Sequence, residues 1–387
     1  MSARRASGRG PSGGAVVLFV GTRRGLFRYV SGPDRRAWRR AGFHIAGHEI
    51  YHATLEPETG RAWAAAYHTV WGAHVYRSTD HGVTWETCEG RPAFPADAGR
   101  EVEAVWHVAA GRAPDGGPRL YAGVEPAALF HSDDGGAIWT WNRALDTHPT
   151  REAWQPAKGG LALHSIQPDP EDPNRVFVAL SAGGCYRTDD GGASWSAINR
   201  GVRADFLPGD EPEAGQCVHS IRLHPRDRRR LYQQNHCGTY RSDDGGDSWV
   251  EISAGLPSDY GYVIALDPAN PDRAWVIPEE SSHLRSVCDR KLRVFETTDA
   301  GATWTPRTGG LPQDDAWVTV LREALATEGE GEDCGVHFGT ATGHLYASAD
   351  GAAWVAVASH LPKILSVEAF RVAGQAAFHS STAAPLA

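Results

Sequence analysis

Ser242-Asp-Asp244-Gly-Gly246-Asp-Ser248-Trp249 decides the architecture, because turns of this design return along the whole chain. Near-complete copies stand at Ser78–Trp85, Ser132–Trp139, Thr188–Trp195 and Thr297–Trp304. Two worn copies lie at Ser31–Trp38, which lacks the Gly, and Ser348–Trp354, one residue short. The closing Trp falls at 38, 85, 139, 195, 249, 304 and 354, so the repeat length stays between 47 and 56 residues. A period near fifty built of short strands is the signature of a β-propeller, one blade per repeat. The expected fold is all-β: a seven-bladed propeller over residues 15–372, with tails at 1–14 and 373–387. Each turn residue has a structural task. The Asp carboxylate accepts bonds from turn N–H groups and Gly supplies the positive φ. The Ser or Thr hydroxyl satisfies a neighbouring backbone group, and Trp packs between adjacent sheets. The repeated acids are therefore read as structural, not catalytic.

This motif resembles the Asp-box, or bacterial neuraminidase repeat, shared by sialidases, sortilin-type receptors, xyloglucanases and a photosystem assembly factor. Genuine sialidases resemble the chain only in the repeat. They have six blades, an arginine triad and a Tyr–Glu nucleophile pair, and the Arg-Ile-Pro signature of the first arginine is absent here. Xyloglucanases use two tandem seven-bladed rings with a cleft between them, whereas this sequence encodes one. The nearer resemblance is to single-ring bacterial proteins called sialidase-like or glycosyl hydrolase-like. It implies the fold but transmits no reaction.

Composition narrows the classes. Lys and Arg number 38 against 47 Asp and Glu, and the net charge of −9 gives no footing for nucleic-acid binding. No apolar run approaches the roughly 20 residues of a membrane helix. Val16–Val20 is too short for a signal-peptide core, so a cytoplasmic protein is expected. Six Cys (88, 185, 217, 237, 288, 334) form no CxxC, which fits a reducing compartment. The strand register places Cys217 near Cys237, as a disulfide, a metal ligand pair or simple packing. A monomer or small homo-oligomer is expected.

Alternating segments give the blade wiring. First strands are predicted at Ile50–Leu55, Val102–Ala109, Leu161–Gln167, Cys217–His224, Tyr262–Asp267 and Ala316–Leu321. The first repeat lacks one, while Ile364–Phe370 reads as a strand without a blade. The C-terminus is therefore predicted to complete the first blade and close the ring, which removes exposed sheet edges. Innermost strands line the tunnel, and their starts carry Tyr51-His52, Trp106-His107, Leu163-His164, Val218-His219 and Tyr262. Antiparallel pairing sets Glu125 beside His107, His236 beside His219 and Glu279 beside Tyr262.

Imidazoles converging from separate strands are a common way to hold a transition metal. His107, His164, His219 and His236 are thus expected to bind a divalent transition metal, with Glu125 and Glu279 as catalytic carboxylates. The alternative for the histidines is a polar, water-filled tunnel in which they hydrogen-bond one another. Two long polar loops feed the same end. They offer Arg151, Trp154, Lys158, Arg203 and Phe206, with Tyr262, as binders of an anionic or sugar-like small molecule. The functional expectation is a small-molecule enzyme with metal-dependent hydrolase, lyase or oxygenase chemistry. The alternatives are a glycoside hydrolase working through Glu125 and Glu279 alone, and a non-catalytic propeller scaffold.

Overall fold

In the computed structural model, which describes residues 13–156, 160–209 and 212–373, the chain folds into seven four-stranded antiparallel sheets arranged as blades. The expected tails fall almost wholly outside the described residues. Blade 1 runs, from the tunnel outward, Ile364–Val372, Ala15–Thr22, Gly25–Ser31 and Trp38–His44. The C-terminal strand therefore closes the ring, pairing along its length with Ala15–Thr22.

Ala15–Thr22 shows why an apolar run became a strand. Val16, Leu18 and Val20 join the core shared with blade 7, and Ala15, Val17 and Phe19 join the core shared with blade 2. Both faces are covered, so no polar alternation is required. The Asp-boxes close their own turns, and three of their Trp residues also bond the preceding blade. In the second repeat Ser78 Oγ donates to Asp80 Oδ1 (2.7 Å), which also accepts the Val83 and Thr84 N–H groups (3.0 and 2.9 Å). Trp249 and Trp304 donate their indole N–H to Ile198 O and Ile252 O of the preceding blade (2.7 and 2.8 Å). Bonds from Ser194 hold Asp190 down to about 2, as expected of a carboxylate committed to its turn.

Two local features depart from the sequence expectation, and both bear on the site. Innermost strands carry a register shift near their start: Ile50/His52, Val105/His107, Leu163/Ser165, Val218/Ser220 and Gly261/Ile264. Glu125 pairs with Ala104, while His107 faces Gly123. The second departure is in blade 7, whose innermost strand is Leu325–Glu328. Ala316–Leu321 forms no strand because its backbone groups are taken by an insertion in blade 6, residues 279–293. Ala316 N–H donates to Arg290 O, and Val318 O accepts from Val287 N–H (both 2.9 Å). All six Cys are buried free thiols, so Cys217 and Cys237 form no disulfide.

Candidate active site

The tunnel is closed at its waist by polar side chains from six blades. Glu323 accepts from Arg222 (2.8 Å) and Ser165 (3.2 Å), with His107 Nδ1 at 4.0 Å. His107 stacks on His52 at 3.8 Å between ring centroids, and His52 bonds Glu368 (3.1 Å). Below this plug lies a cavity of about 310 Å³ reaching His52, His107, Arg222 and Glu368. Above it opens a cavity of about 740 Å³. Its wall joins aromatic rings (Tyr51, Trp106, Phe206, Tyr260, Tyr262) to cations (Arg23, Arg285, Arg322, Lys363), with Glu49 and Glu323 as its carboxylates.

The four expected metal-binding histidines do not form one cluster. His107 bonds the backbone of His164, His164 Nε2 meets Val218 O at 3.0 Å, and His219 Nδ1 meets Gly261 O at 2.5 Å. Each reaches the innermost strand of the next blade, so three first-strand histidines stitch blades 3 to 6 together. Burial pushes all three well below the usual imidazole value, and they are neutral. Among the described residues, ligand-capable atoms converge in two separate groups. Cys217, His219 and His236 form one, and His52, His107 and Glu323 the other, each with atoms within 4.8 Å of one another. His164 belongs to neither. His219 Nε2 lies 3.6 Å from Cys217 Sγ.

The expected carboxylates lie just behind the wall. Glu125 is half-buried and accepts from Trp106 Nε1–H at 2.8 Å; burial raises its pKa. Glu279 is fully buried and pushed up to about 7 by that burial. It accepts from Thr319 and from Val320 N–H (3.0 Å), while its Oε2 has no partner among the described residues. Of the expected substrate contacts, Phe206 and Tyr262 line the cavity. Trp154 is buried in the blade 3–4 core with its N–H on Tyr186 (2.6 Å). Arg203 is held by Glu251, Asp259 and Asp205, and Arg151 by Asp146 and the Trp154 ring. Lys158 lies outside the described residues.

Sequence reasoning missed Glu49, Arg285, Arg322 and Glu323. Arg322-Glu323 stand immediately before the true innermost strand of blade 7, so the misplaced strand hid them. Arg285 arrives on the blade 6 insertion, which no repeat predicts. Glu49 opens the innermost strand of blade 2, two residues before Tyr51, and alternation alone would have set both on one face. Tyr51 donates to Glu49 Oε2 (3.1 Å) and stacks on Trp106 at 4.5 Å; Arg23 Nε approaches Glu49 at 3.5 Å.

Residues 76–87 match the BNR/Asp-box repeat. The chain is 24% identical over 297 residues to the xyloglucanase Xgh74A of Acetivibrio thermocellus. The match covers 66% of this chain and 33% of that protein, so the chain spans about a third of its relative's length. Among solved structures, an ancestral GH74 enzyme superposes with a TM-score of 0.57 at 17% identity, over 84% of this chain and 38% of that one. YCF48 from Cyanidioschyzon merolae does so with a TM-score of 0.52 at 16% identity, over 83% and 88%. At these identities the superpositions show the propeller fold.

Proposed function

We propose that this chain is a glycoside hydrolase that binds a sugar-like substrate in the 740 Å³ cavity, working through Glu49, which lines it, and Glu125, which stands behind the Trp106 ring of its wall. One observation carries the reading: the Tyr51–Trp106 stack is bonded on one side to Glu49 and on the other to Glu125. An aromatic platform suits the C–H face of a sugar ring, and hydrolysis asks for a carboxylic acid and a carboxylate close to it. Burial favours the protonated form of Glu125, which fits the general acid. Glu49 lines the cavity with Arg23 at 3.5 Å, and its position fits the base or nucleophile. Glu279, originally paired with Glu125, is fully buried behind the wall and is not needed. The xyloglucanase relative supports the same reaction class. The test is release of reducing ends from a panel of β-glucan and xyloglucan oligosaccharides. Glu125→Gln and Glu49→Gln should each lower kcat by about 10²-fold or more, with unfolding unchanged. Full activity in both folded variants, or no cleavage of any glycan by the parent protein, would refute the assignment.

A second reading rests on Cys217, His219 and His236. The bond from His219 Nδ1 to Gly261 O leaves Nε2 facing Cys217 Sγ, the orientation by which a backbone carbonyl fixes a metal-binding imidazole. A divalent transition metal held there would supply Lewis acidity and an activated water. Elemental analysis of protein purified without a metal-affinity tag decides this. Less than about a tenth of an equivalent, together with no thermal stabilisation by added Zn, Fe, Mn or Cu, eliminates it.

A further inference from the structure

The charge of the cavity runs against the charge of the chain. The protein carries a net −9, yet Arg23, Arg285, Arg322 and Lys363 all reach this one cavity, against Glu49 and Glu323. Those two carboxylates are already engaged, Glu49 beside Arg23 and Glu323 on Arg222. Among the described residues no carboxylate lies within ion-pair distance of Arg285, Arg322 or Lys363. Arg322 stands out. Its Nε is buried without a hydrogen-bond partner among the described residues, and its guanidinium lies over the Tyr262 ring at 5.5 Å. It also lies close enough to His164 and His219 to bias both towards the neutral form. That buried Nε–H without an acceptor costs desolvation, and an anion on the terminal nitrogens of the same guanidinium would offset the unbalanced charge. Among the described residues the Arg285 side chain bonds only the Ser282 carbonyl of its own loop (3.1 Å), and burial with Arg23 nearby pushes Lys363 below its ordinary value.

From this arrangement we infer that the ligand is an acidic sugar, its carboxylate seated on Arg322 with Arg285 and Lys363 around it, and its ring on the Tyr51–Trp106 stack. The guanidinium fork offers two parallel N–H groups, which match the two oxygens of a carboxylate. The inference rests on the sugar-binding reading of the same cavity and adds the charge of the substrate.

The experiment is calorimetric titration of the full chain with four probes: a glucuronate-containing disaccharide, its neutral glucose counterpart, a sugar phosphate and inorganic phosphate. The acidic disaccharide should bind at least about tenfold more tightly than the neutral one. That preference should shrink on raising salt from about 50 to about 500 mM. Arg322→Gln should abolish it, and Lys363→Gln should weaken it. Arg203→Gln, on the outer surface, should leave it unchanged. Should Arg322→Gln fail to fold, Arg322→Lys keeps the charge, loses the fork and should retain only part of the preference. Equal or tighter binding of the neutral disaccharide overturns the inference. So does an undiminished preference in every folded Arg322 and Lys363 variant, or binding confined to the phosphate-bearing probes. Cleavage of neutral glycans without acid preference would sink this inference and spare the hydrolase reading. Acid-selective binding without cleavage of any glycoside would do the reverse.

Discussion

Trp106 joins two roles in one side chain: its ring forms half of the sugar platform and its N–H holds the Glu125 carboxylate. Burial raises Glu125 and the indole bond opposes that rise. Trp106→Phe keeps the ring and removes the opposing bond, so Glu125 should hold its proton to higher pH. The alkaline limb of the kcat/KM profile should then move upward; a limb that stays put or moves downward removes Glu125 as the acid. His164 has the opposite character. Its Nε2 satisfies Val218 O across a blade boundary and its neutral ring is buried at the cavity wall. His164→Ala should cost about 1–3 kcal/mol in urea unfolding, because a buried carbonyl loses its donor. A variant of parental stability would show that the stitch contributes nothing.

At the scale of elements, the closing strand and its lock hold the ring together. Ile364–Val372 is the innermost strand of blade 1, and Glu328 of blade 7 grips the same seam. Arg35 and Arg371 both pair with Glu328, Arg371 Nε at 2.7 Å, and His337 adds a bond at 3.2 Å. Burial alone would raise Glu328, but the His337 and Arg35 bonds bring it from 4.5 down to about 2. A carboxylate with a depressed folded-state value stabilises fully above its unfolded value. Its contribution is therefore present above about pH 4.5 and lost as pH falls towards about 2. Glu328→Gln should cost about 3–5 kcal/mol, since two guanidinium groups lose a buried partner. Thermal unfolding of parent and variant should differ widely at neutral pH and converge in acid; a constant difference would contradict this. Truncation after Lys363 should leave Ala15–Thr22 unpaired on its tunnel side and the chain unable to fold.

For the molecule as a whole, pH acts through the neutral stitches. His107, His164 and His219 are held well below their ordinary value by burial, with nearby histidine and arginine charge adding to it. The unfolded chain takes up those protons below about pH 6.5, so stability is full above that pH and declines beneath it. Three such groups impose a slope of up to about 4 kcal/mol per pH unit well below 6.5. Urea midpoints measured from pH 8 to 5 should fall with that sign. A flat profile would mean that these imidazoles are protonated in the folded ring.

Seven turns, the blade count and closure by the C-terminus were all legible in the sequence, because the Ser and Asp of an Asp-box complete their hydrogen bonds within the turn and the repeat spacing counts the blades. Ser78, Asp80, Gly82 and Trp85 need no distant partner to declare themselves. The equivalence of the first-strand histidines was legible too, but not their purpose. Beside a register shift they turn onto neighbouring carbonyls, and the true pairing sets Glu125 opposite Ala104, three residues from His107. The cavity itself is lined from all seven blades and from an insertion outside the repeat. Local periodicity is set by contacts a few residues apart, whereas the direction a side chain faces at a tunnel mouth is set by bulges and by neighbours hundreds of residues away. The sequence therefore determined the ring and its closure, and only the tertiary packing decided that Glu49, Arg322 and Trp106 would share one cavity.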